Sequence, residues 1–236
     1  MQILKARPLC YMALLVLCNA ASNAQSANTE IGFELGPNCG TLRGSEFVEE
    51  GQGMSVSFAG GLSFQRNWKN GFSLRTDVHY DRKGNKIPIL FTDEDGSTIG
   101  KGWVRTTFEY VSLPILARRS FGQRTKFMVN AGPYLGVLIK ATQSLEGESV
   151  ENSNPTDMTE FMESIDLGIA VGAGVTRSLN DRWTLSAELR DNLGLVDVSA
   201  YPIYGKGGIK TNTASILIGI ACTLGDREPS SGSGTL

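Results

Sequence analysis

The sequence predicts an all-β fold, an eight-stranded antiparallel up-and-down transmembrane β-barrel, and three observations carry that prediction. First, two adjoining runs between residues 163 and 195 are apolar at every second position. Ile165, Leu167, Ile169, Val171, Ala173 and Val175 alternate with small or polar residues, and so do Trp183, Leu185, Ala187 and Leu189. A period of two is the signature of a β-strand with two unlike faces. The runs are also long enough to cross a bilayer, which takes about ten residues of tilted strand. Second, the connections alternate between short and long, as in barrels with short periplasmic turns and long extracellular loops. Third, the less apolar face mixes small residues with charges of both signs. In the run 71–83, Phe72, Leu74, Thr76, Val78 and Tyr80 oppose Ser73, Arg75, Asp77, His79, Asp81 and Lys83. Opposite charges beside small residues suit a crowded interior where charges pair. A soluble ligand-binding barrel would reverse the faces.

Residues 1–24 read as a signal peptide. Lys5 and Arg7 form the basic segment, Cys10 to Cys18 the apolar one, and Ser22-Asn23-Ala24 the small residues before cleavage. That apolar run falls well short of the roughly 20 residues a spanning helix needs. The barrel domain is expected over 25–225, with a disordered Ser/Gly-rich tail over 226–236. Strands are expected at 30–42, 53–68, 71–83, 103–119, 125–142, 163–178, 182–195 and 211–225. Lys69-Asn70-Gly71, Ser120 to Arg124 and Leu179-Asn180-Asp181 are the short turns, the first an Asn-Gly hairpin signal. Segments 43–52, 84–102, 143–162 and 196–210 are the long loops. An even strand count puts both termini in the periplasm. Trp68, Trp103, Tyr110 and Trp183, near strand ends, are expected in the interfacial girdles.

The stretch from Glu109 to Lys140 resembles the PorT-like outer-membrane β-barrel family. The resemblance rests on Tyr110, Leu113-Pro114-Ile115 and Gly132-Pro133-Tyr134. It continues through Asp166-Leu167-Gly168, Gly172-Ala173-Gly174 and the segment from Glu188 to Leu195. It implies an eight-stranded barrel in a Gram-negative outer membrane, and a link to protein secretion or envelope assembly through one member. It implies no shared catalytic residues. One departure stands out: the last strand ends at Leu224-Gly225 rather than on an aromatic residue.

The formal charge of the whole chain is −2, and cleavage would remove Lys5 and Arg7, so the mature chain is more acidic still. That argues against nucleic acid as a partner. Cys39 and Cys222 fall near opposite strand ends and read as isolated small hydrophobes. No phosphate loop, zinc spacing or nucleophile elbow is present, so no cofactor is expected. Glu34, Arg75, Asp77, His79, Asp81, Glu188 and Arg190 are expected to form an interior polar network that satisfies buried charge. The sharper alternative makes His79, the only histidine, a general base flanked by Asp77 or Asp81. Asp93-Glu94-Asp95-Gly96 resembles a fragment of a calcium loop but reads as a solvated turn. The acidic loop 143–162 could hold divalent cations beside lipopolysaccharide, and its simpler reading is a solvated, mobile loop. The expectation is a non-enzymatic outer-membrane barrel with a filled interior and a structural or interaction role. Its partners would be outer-membrane lipid, lipopolysaccharide and unidentified envelope proteins. A small-solute channel, an outer-membrane enzyme and a soluble periplasmic ligand-binding barrel are the rivals.

Overall fold

The structure, a computed structural model, describes residues 29–45, 53–68, 70–147, 154–201 and 207–224. The signal peptide and tail expected from the sequence lie outside the described residues. Alternation of side chains builds β1 (Thr29–Arg43), β2 (Gly53–Asn67), β3 (Phe72–Thr92), β4 (Thr98–Gly122) and β5 (Thr125–Gly147). It also builds the two-residue β6 (Thr156–Asp157), then β7 (Ile165–Ser178), β8 (Trp183–Gly194) and β9 (Lys210–Leu224). Each long strand pairs antiparallel with its chain neighbour, β5 pairs with β7, and β9 returns to β1. The ring of eight long strands therefore closes and leaves no unpaired edge. No helix among the described residues is long and apolar enough to cross a membrane.

The two faces separate as the alternation requires. Ile165, Leu167, Ile169, Val171, Leu185, Leu189, Ile216, Ile218 and Ile220 all point outward. So much exposed apolar surface on one closed wall is what a bilayer covers. Arg75, Asp77, His79, Asp81, Lys83, Glu188 and Arg190 point inward and are buried. Trp68, Trp103 and Trp183 lie on the outer surface. Tyr110 does not join them: it is fully buried in the lumen. It shares the inward set with Ser112, Leu116 and Arg118, while Ile115 faces out. Leu113 to Leu116 are apolar on both faces, which hides the period in the sequence. A register irregularity precedes that stretch: Glu109 pairs with Lys140 and Tyr110 with Leu138, leaving Ile139 as an extra residue on β5.

The outer loops differ from expectation. Segment 84–102 is mostly strand: β3 and β4 run on together to a tight turn at residues 93–97. There Asp93 Oδ1 accepts from the amides of Asp95 and Ser97, and Gly96 takes φ +79°. Segment 143–162 is neither all loop nor all solvated. β5 continues to Gly147, β6 pairs with Thr142 and Gln143, and a 3-10 turn spans Thr159–Phe161. Met158 and Met162 then pack against Leu42, Phe108, Tyr110 and Ala141, an apolar cluster towards the long-loop end of the barrel. Asp157 anchors this turn: the hydroxyl of Thr159, then its amide, holds the Asp157 carboxyl below the usual carboxylate range. Glu148 and Glu151 of that loop lie outside the described residues. At the other end the Asn70-Gly71 turn forms, with Gly71 at φ +78°.

Candidate functional site

The lumen holds two ionic centres stacked along the barrel. The lower one joins β1, β3, β4 and β8. Arg75 reaches Glu34 with one Nη and Asp77 Oδ1 with Nε at 2.6 Å. Arg190 donates to Asp77 Oδ2 at 2.8 Å, to Glu188 Oε1 at 2.7 Å, and lies 3.1 Å from Glu34 Oε1. Arg118 closes the set with a 2.7 Å bond to Glu188 Oε2 and a 3.0 Å bond to Gln65 Oε1. Three guanidiniums thus face three carboxylates, and every carboxylate meets at least two of the arginines. Forked donors allow this sharing, because each guanidinium offers five N–H bonds in a fixed plane.

His79 sits at the edge of this centre. Its Nε2 lies 3.0 Å from Glu34 Oε1, not beside Asp77 or Asp81. Glu34 and His79 belong to strands separated by β2, and both pair in register with Gly61 on it. A Cβ at Gly61 would lie 2.7 Å from the His79 ring. The missing side chain is what lets the two groups touch across the strand. Asp81 shares the inward face but makes no ion pair among the described residues, and its Oδ2 has no hydrogen-bond partner.

The upper centre contains residues the sequence argument left unassigned. Lys83 Nζ donates to Asp166 Oδ2 at 2.9 Å. Thr211 Oγ1 and the Tyr134 hydroxyl donate to the same oxygen at 2.7 Å and 3.2 Å. The Lys83 ammonium also lies 4.8 Å from the Tyr110 ring centre and 4.9 Å from that of Tyr134. Both Lys83 and Asp166 belong to alternating runs visible in the sequence, so their inward direction was readable; their pairing was not.

The chemistry open to these groups is limited. Glu34, Asp77 and His79 place candidate ligand atoms within 4.8 Å of one another. The carboxylates there are already engaged by Arg75 and Arg190, so a divalent cation would have to enter beside two guanidiniums. That is a poor metal site. For base catalysis, Ser112 stands opposite His79 in register. However, its Oγ is buried and has no hydrogen-bond partner, so no nucleophile is joined to a base. Cys39 and Cys222 are free and face Ala214 and Ile31 in the β1–β9 ladder.

A model of the family described as "Outer membrane protein beta-barrel domain" matches residues 23–200. No curated protein matches the chain. Among solved structures, Neisserial surface protein A is 14% identical, with a TM-score of 0.44 over 83% of this chain and 97% of its own. The attachment invasion locus protein Ail of Yersinia pestis is 10% identical, with a TM-score of 0.42 over 83% and 98%. OprG of Pseudomonas aeruginosa is 8% identical, with a TM-score of 0.43 over 86% and 99%. The matched segment takes in every strand of the ring except β9, and this chain, a protein of the outer membrane, belongs to the outer membrane protein beta-barrel domain family.

Proposed function

We propose that this barrel is a non-conducting, non-enzymatic outer-membrane protein that acts through interaction surfaces in envelope assembly or secretion. The lower ionic centre carries the reading. Arg75, Asp77, Arg118, Glu188, Arg190 and Glu34 join four strands across the lumen, and the apolar cluster around Phe108 and Tyr110 packs inside it nearer the long-loop end. An eight-stranded barrel is just wide enough for its own side chains, so such cross-braces leave no continuous aqueous path. The resemblance to PorT-like barrels supports the envelope role. Outer-membrane lipid and lipopolysaccharide are the constant partners of the apolar wall, and an envelope protein is the functional one. Planar-bilayer recording tests the non-conducting part: the purified barrel should show no large, steady conductance, and a stable pore passing sugars would overturn it. Cross-linking in native membranes tests the rest, since recovery of lipid alone would remove the assembly role.

A further inference from the structure

We propose that the short-turn mouth of the barrel is a binding pocket for a small oxyanion, a carboxylate or phosphate group, entering from the periplasm. A cavity of about 360 Å³ lies there, lined by residues of the strand ends and short turns. Short turns face the periplasm in barrels of this kind. Arg75 and Arg118 line it, and they pair with Glu34, Asp77 and Glu188, which do not.

Its lining favours an anion. Arg118 is 3% exposed, lines the cavity, and its Nε has no hydrogen-bond partner among the described residues. A buried guanidinium N–H left without an acceptor is costly, and an anionic oxygen is its strongest acceptor. Lys126, on the inward face of β5, adds a third cation and makes no ion pair among the described residues. The one carboxylate in the lining, Glu30, is engaged by the Asn67 amide at 2.9 Å. Ser73, Ser120, Thr176 and Thr184 supply hydroxyl donors around the wall. At roughly 30 Å³ per water, the space suits a ligand of about ten heavy atoms. The membrane-facing wall is apolar and offers no such donor set.

The inference depends on the outer-membrane placement but not on the role in assembly. The test uses the full chain in lipid nanodiscs, titrated calorimetrically with inorganic phosphate, citrate and, as a neutral control, glucose. The variants are Lys126→Glu, which reverses a charge, and Thr184→Trp, which fills the pocket; neither residue belongs to the ion-paired layer. Saturable binding of phosphate, citrate or both is expected, with no response to glucose. Each variant should weaken binding about tenfold or more: Lys126→Glu by the loss of a charge-assisted bond, Thr184→Trp by occupying the space. Phosphate alone would identify phosphoryl groups as the ligand chemistry, and citrate alone carboxylates. Failure of both phosphate and citrate to saturate by about 10 mM would overturn the proposal. So would equal binding of glucose, or unchanged affinity in Thr184→Trp.

Discussion

The two ionic centres of the lumen solve the same problem in opposite ways. The lower centre spreads charge over three arginines and three carboxylates, so that each carboxylate has more than one arginine partner. The upper centre relies on one ion pair, Lys83 with Asp166, and completes it with hydroxyls and aromatic faces. The difference follows from the cations. A guanidinium is a planar fork that can serve two carboxylates at once, whereas an ammonium is a point charge. Two tyrosine rings flank that ammonium where further carboxylates are missing. The lower centre should therefore tolerate loss of one member better than the upper.

Deleting one cation from each centre should give the largest difference between them. Lys83→Met leaves Asp166 buried with only hydroxyl donors, and an uncompensated buried charge costs about 3–5 kcal/mol. Arg118→Met leaves Glu188 still bonded to Arg190, with Arg75 at 4.0 Å. Its cost should fall nearer 1–3 kcal/mol, that of an impaired charged hydrogen bond. Urea unfolding from lipid vesicles reads both. Equal losses would show that the shared arginines confer no redundancy.

The second test moves a charge from the lumen to the wall. Asp166 and Ile169 lie three residues apart on β7, one inward and fully buried, the other outward. Asp166 is tolerated because three donor groups, from Lys83, Thr211 and Tyr134, meet one of its oxygens. Arginine at Ile169, or at Leu185 on β8, would meet lipid instead and should cost about 2–4 kcal/mol near the midplane. Arginine at Gly168 fails for another reason: a Cβ there already comes within 2.5 Å of the Tyr134 ring. Unchanged refolding for both Ile169→Arg and Leu185→Arg would remove the membrane assignment of that face.

These contrasts also mark what the sequence could and could not reveal. Direction was legible wherever strict alternation held, as for Ile169, Leu185, Arg75 and Glu188. Partnership was not, because it depends on register and on closure of the ring. Lys83 and Asp166 are 83 residues apart, and Arg118 and Glu188 are 70 apart. Nothing local links them. The direction of Tyr110 is hidden in the sequence because the apolar Leu113 to Leu116 stretch blurs the period. The long β3–β4 hairpin was hidden because Pro88 and the mixed segment around it look like loop. At that height β3 pairs mainly with β4, and Pro88 stands opposite Trp103. The contact between Glu34 and His79 required knowing that Gly61 lies between them.

The smallest effect should come from His79, which touches the lower centre at one point only. Its Nε2 meets Glu34 Oε1, while Glu34 is independently held by Arg75 and Arg190. Replacing His79 with leucine removes one partner from a carboxylate that keeps two, so the loss should sit at the low end of about 1–3 kcal/mol. Glutamine restores a donor at similar reach and should recover most of that loss. The same substitution separates packing from catalysis. A side-chain amide can bond Glu34 but cannot act as a general base. The measurement pairs thermal unfolding of the inserted barrel with the cellular phenotype of each variant. Near-native stability and phenotype for His79→Gln, beside a small stability loss for His79→Leu, is the expected pattern. A His79→Gln barrel that inserts and unfolds normally yet behaves as a null mutant would overturn the structural role and move the search for chemistry back to this histidine.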